Sequence, residues 1–107
     1  MTLACRSVEA GNKVAEDLRA ALPKDAGKPS VAKLDLADPA SVRAFAAGYL
    51  QQGTPLDLLI NNAGIMATSL GLTSLGIEQQ MGTNHLGHFL LTSIRPRMDA
   101  TKRWPSR

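Results

Sequence analysis

Apolar residues arrive along this chain in two rhythms: short unbroken runs, and longer stretches in which they recur every three or four positions. The runs at Thr2–Cys5, Val31–Leu36 and Leu56–Ile60 predict strands covered on both faces, because a strand with one wet face would alternate polar and apolar residues. Between the first two runs, Val14, Ala15, Leu18, Ala21 and Leu22 share one helical face. Ser7 is placed to cap that helix, Glu9 falls in its first turn where the helix dipole favours a carboxylate, and Pro23 stops it. Asp38-Pro39 then sets a capping carboxylate directly before a proline at the first helical position. Val42, Phe45, Ala46, Tyr49 and Leu50 repeat the helical spacing, and Gly53 with Pro55 ends this second helix. A third helical stretch runs from about Ile77 to Ser93 and ends before Pro96.

Strands too continuous to have a wet face, alternating with amphipathic helices, predict an α/β fold with a doubly wound parallel sheet covered by helices on both sides. The 107 residues fit one domain, taken as residues 1–94 with a disordered tail over 95–107. Charge changes the picture only at that tail. The net charge is +3, but residues 1–94 carry seven basic against eight acidic side chains, whereas the tail carries five basic against one acidic. The body is therefore not basic, and a tail of cations beside one Trp specifies nothing beyond salt-sensitive attraction, so no nucleic-acid partner is expected. The single cysteine, Cys5, excludes an internal disulfide. No apolar run approaches the ~20 residues that span a bilayer, and the N-terminal residues lack a leader pattern, so no membrane segment is expected; the compartment stays open, with the cytoplasm as default.

Asn61-Asn62-Ala63-Gly64 follows the third run directly. Small residues at a strand C-terminus let a ligand approach the backbone, and ligands of open α/β sheets bind there. The same residues also favour an ordinary turn, and spacing alone leaves both readings open. Asn84 lies mid-helix, where asparagine is mildly unfavourable and needs solvent or a specific partner. His85 and His88 have no cysteine or carboxylate at a spacing that completes a ligand set, so no metal is expected. Gly82 and Gly87 are suited to close packing of this helix on another element.

The run Leu56-Asp57-Leu58-Leu59-Ile60-Asn61-Asn62-Ala63-Gly64, followed by Thr83-Asn84-His85-Leu86-Gly87-His88-Phe89, resembles the short-chain dehydrogenase/reductase family, in particular its retinol-dehydrogenase-like branch. The resemblance extends over residues 2 to about 93. It implies a partial Rossmann-type sheet and an oxidoreductase that moves hydride between a nicotinamide cofactor and an alcohol/carbonyl pair. It also implies that Asn62, Ala63 and Gly64 pack beside the adenine ribose, that Asp35 with Leu36 contacts the adenine ring, and that Asn84 interrupts its helix and holds a water in the proton relay of a catalytic lysine. In similar enzymes the third helix often forms a subunit interface, so a homo- or hetero-dimer through it is a further expectation.

Within that resemblance the first run stands where a dinucleotide fold has its second strand, and the residue after that strand reads the 2′ position of the adenosine ribose. A carboxylate there accepts from the NAD hydroxyl, whereas an arginine pairs with the NADP phosphate. Here that residue is Arg6, with Ser7 beside it, which favours NADP over NAD; a solvated arginine at a strand end is the ordinary alternative. The family's chemistry needs a tyrosine with a lysine four residues on. The one tyrosine here is Tyr49, on the second helix, and four residues on stands Gly53. The glycine-rich turn and the first strand before it have no counterpart either. The expectation is an internal fragment, marginal in stability, inactive alone and a poor cofactor binder by itself. A non-catalytic protein that pairs with a full-length relative through its third helix is the alternative.

Overall fold

A computed structural model describes residues 1–94; the basic tail inferred for 95–107 lies outside them. The elements in order are β1 (Thr2–Cys5), α1 (Val8–Ala21), β2 (Ser30–Lys33), α2 (Pro39–Gln51), α3 (Gln79–Met81), a π-helical segment (Gly82–Gly87) and α4 (His88–Ser93). The last three run on without a break and form the third helix.

The two strands pair in parallel with Thr2 opposite Ser30 and Cys5 opposite Lys33, as the α/β reading requires. Leu34 N–H donates to Cys5 O at 2.9 Å, so the pairing carries one residue beyond the strand ends. Side chains alternate faces along β2, which sorts the helices. The α1 side holds Val31, whose Cγ1 would lie 2.7 Å from a Cβ at Gly11. The opposite side holds Leu34 and Leu36, which form the core with Val42 and Ala46 of α2 and Leu91 of α4; Phe45, Leu90 and Ile94 close around it. Helices therefore cover both faces.

Local chemistry fixes the helix starts. Ser7 Oγ accepts from Ala10 N–H at 3.2 Å, and Asp38 Oδ1 accepts from Ala40 N–H at 3.0 Å with Pro39 in the first turn. Gly53 at φ 63° follows α2 and donates to Leu50 O, the left-handed stop its position suggests.

Two expectations are corrected. The third strand, Leu56–Ile60, does not form: the described sheet has two strands, and no neighbour lies beside this segment to supply a ladder. Leu58 and Ile60 are each 72% exposed, so a run whose composition suits a strand buried on both faces lies open. On α1, Val14 and Leu22 are also exposed, and only Gly11 and Ala15 are buried. The helix forms where its caps dictate, but most of its apolar face has nothing to pack on.

The third helix approaches β2 closely. A Cβ at Gly87 would fall inside the van der Waals shell of the Leu36 carbonyl oxygen and only 2.8 Å from Leu36 Cβ. Gly87 is thus required by packing, as its position in the sequence suggests.

Candidate functional site

Parallel strands put their C-terminal ends on one edge of a sheet, and that edge collects Arg6 and Ser7 after β1 and Asp35 and Leu36 after β2. Arg6 is exposed there, its guanidinium available to an anion. Ser7 Oγ is engaged as an acceptor by Ala10 N–H, which leaves its hydroxyl proton free to donate. Asp35 holds its own turn: Oδ1 accepts from Ala37 N–H at 3.0 Å, and the Asp35 N–H donates to Ser41 Oγ at 2.9 Å. Ser41, which no sequence pattern singled out, therefore fixes the backbone at this edge. Leu36 is buried in the core with Gly87 against its carbonyl, so its side chain faces the protein interior.

The segment after Ile60 is held by the third helix, not by a strand ladder. Asn84 Oδ1 accepts from Ile65 N–H at 2.8 Å while Asn84 Nδ2 donates to Ile65 O at 2.7 Å. His88 Nε2 bonds Ala63 O at 2.8 Å, and Asn61 Nδ2 donates to Thr92 Oγ1 at 3.2 Å. Asn84 lies within the π-helical segment, a rare local widening that is frequent at functional sites. His88 and Thr92 were not singled out as site residues; the stripe Asn84, His88, Thr92 at spacing i, i+4, i+8 was the available sign.

Asn62, Ala63 and Gly64 are exposed. Gly64 differs from Gly87 in an instructive way. A Cβ at Gly64 would meet Asn84 Oδ1 at 3.5 Å, an ordinary contact, and its φ is not in the left-handed region. Among the described residues nothing requires glycine there.

The edge thus presents an exposed cation and a hydroxyl donor at the end of β1 and a carboxylate at the end of β2, while the small-residue Asn62–Gly64 loop is held to the third helix. Among the described residues there is no cluster of three or more His, Cys, Asp or Glu side chains that could hold a metal ion. None of the described helices is long and apolar enough to cross a membrane. Glu78 caps α3 through Gln80 N–H at 2.8 Å and Met81 N–H at 2.9 Å, and these two bonds hold its carboxyl below the usual carboxylate range.

Comparison with known proteins gives the family. A family model described as short chain dehydrogenase matches residues 1–103. Retinol dehydrogenase 11 of Homo sapiens is 47% identical over 92 residues, covering 86% of this chain and 28% of that protein. Retinol dehydrogenase 13 of Homo sapiens is 42% identical over 92 residues, and the short-chain dehydrogenase TIC 32 B, chloroplastic, of Brassica napus is 40% identical over 92. A crystal structure of an uncharacterized protein from Mycobacterium paratuberculosis matches with a TM-score of 0.71 and 45% identity, over 87% of this chain and 31% of that one. The chain thus spans less than a third of the length of these relatives.

Proposed function

This chain belongs to the short-chain dehydrogenase family, and from that premise we propose that it carries the adenosine-binding part of an NADP(H)-dependent oxidoreductase acting on an alcohol/carbonyl pair. The observation that carries this reading is the exposed Ala63–Gly64 loop, held in register by Asn84 and His88, with a glycine that no internal contact requires. Arg6 and the Ser7 hydroxyl would receive the 2′-phosphate through charge-assisted hydrogen bonds. Asp35 and the Asn62–Gly64 loop would flank the adenosine, and Leu36 would contribute through its backbone, since its side chain is in the core. The bound nicotinamide supplies the hydride chemistry. Asn84 would hold a relay water. The residues that transfer the proton are not among these 107, so the chain alone is expected to be inactive and to bind the cofactor only weakly. The names of its relatives make a retinol-like alcohol the first substrate to try in an intact homologue.

A thermal melt followed by circular dichroism tests the cofactor. NADPH at about a hundred times its Kd stabilises by ~2.7 kcal/mol, a rise of about 10–20 °C for a domain this size, with a smaller rise for NADH. No rise with either nucleotide sinks the reading. Arg6→Asp should weaken NADPH binding by about tenfold to a hundredfold while NADH binding is kept or improved, the measure of a lost charge-assisted contact.

A second reading is favoured by Met81 and Phe89, which leave an apolar stripe of the third helix exposed, Phe89 by 67%. In it the chain pairs with an intact relative and modulates it. Co-purification with such a relative at native-like concentrations, lost in Phe89→Glu, is the expected outcome; failure to co-purify removes it.

A further inference from the structure

Three side chains spaced four residues apart on the third helix bond three positions spaced two apart on the preceding segment, in reverse order: Asn84 to Ile65, His88 to Ala63 and Thr92 to Asn61. The match is geometric. The bonded positions step two at a time along the segment and four at a time along the helix in opposite senses, so the segment runs antiparallel to the helix.

His88 is the middle step, and its chemistry is constrained. Ala63 O can only accept, so His88 Nε2 must donate. His88 Nδ1 is buried without a partner, a tolerable position for a bare lone pair but a poor one for a second N–H. The geometry therefore puts a proton on Nε2. In a trans peptide the C=O and the next N–H point to opposite sides. With Ala63 O turned onto the helix, the Gly64 N–H faces away from it, and this N–H has no partner among the described residues.

We propose that His88 is a positioning residue for the cofactor: it fixes the Ala63–Gly64 peptide so that the Gly64 N–H is presented to a hydrogen-bond acceptor of the cofactor ribose. The role rests on the cofactor reading above and goes beyond it, because Asn84 holds Ile65, not this peptide. Its effect on binding passes through the orientation of one backbone N–H.

The test uses the full chain, labelled with 15N. The His88 ring is expected to show the Nε2–H pattern; a proton on Nδ1 alone overturns the proposal. In His88→Leu, amide exchange at Gly64 and Ile65 should quicken and NADPH affinity fall by about tenfold each, the loss of one hydrogen bond. His88→Gln, whose Nε2 can still donate to Ala63 O, should restore most of both, a rescue that a simple packing role would not give. Unchanged exchange and affinity in His88→Leu, or no rescue by His88→Gln, overturns the proposal. If His88→Leu does not fold, the ring pattern and the Gln variant still decide. If the unaltered chain binds no NADPH, the cofactor reading fails and takes the purpose assigned to His88 with it, whereas the exchange data then report the hold alone.

Discussion

The two sides of the β1–β2 sheet were built from similar sequence patterns and came out differently. On the α2 side, Val42 is fully buried and Leu34, Leu36, Ala46 and Leu91 close around it. On the α1 side the helix is as well capped, yet Val14 is 49% exposed and burial is confined to Gly11 and Ala15. The difference lies in what comes next along the chain. The α2 side receives the third helix, which Gly87 allows to settle directly on Leu36, while Val14 and Leu22 at α1 and Leu58 and Ile60 after it stay exposed. Periodicity and capping thus determine whether a helix forms; whether its apolar face stabilises anything depends on a second element arriving.

The sharpest way to break this comparison is Gly87→Ala. A methyl there meets backbone atoms of Leu36, which cannot swing aside, so the third helix must lift from β2 at a cost of about 3 kcal/mol, the upper end of overpacking penalties. Chemical denaturation should show a transition that is broadened or lost. An unchanged midpoint would mean that the helix does not rest on β2. Smaller, and more diagnostic, is the pair Val42→Ala and Val14→Ala. The first removes two methyl groups from a filled site and should cost about 2 kcal/mol, whereas the second should fall within about 0.5 kcal/mol of no change. Equal losses would show that α1 is covered in solution. The smallest effect concerns Glu78. Its carboxyl titrates below its ordinary value in the folded chain, so its cap is fully present at neutral pH and down to the ordinary carboxylate range. It is lost as pH falls through the depressed folded value. Glu78→Gln should lower the neutral plateau slightly and flatten that acid limb of the stability profile, the two chains converging at low pH.

How much was legible follows the same division. The boundaries of β1 and the starts of α1 and α2 could be read because Ser7, Asp38-Pro39 and Gly53 act within a few residues of themselves. Leu56–Ile60 could not, since a strand is a relation between two segments and composition reports only one. The π-helical segment escaped because apolar spacing does not distinguish hydrogen bonds that skip an extra residue. Arg6, Ser7 and the Asn62–Gly64 loop are exposed, and Asn84 bonds the backbone of Ile65. Alternation beyond β2 turns the Leu36 side chain into the core, which its place beside Asp35 does not reveal. His88 was considered only as a metal ligand, and its partner, a backbone carbonyl, leaves no trace in a sequence.

The packing of Gly11 against Cys5 has a kinetic consequence. The one thiol of the chain donates to Ser7 O at 3.3 Å and lies where a larger residue on α1 would collide with it. The thiol is partly buried, so a bulky alkylating reagent reaches it more readily when α1 rises from the strand. Labelling at Cys5 should therefore quicken with that opening. The protein thus contains a native probe on its less supported side, able to report breathing of α1 while the Val42 core stays closed.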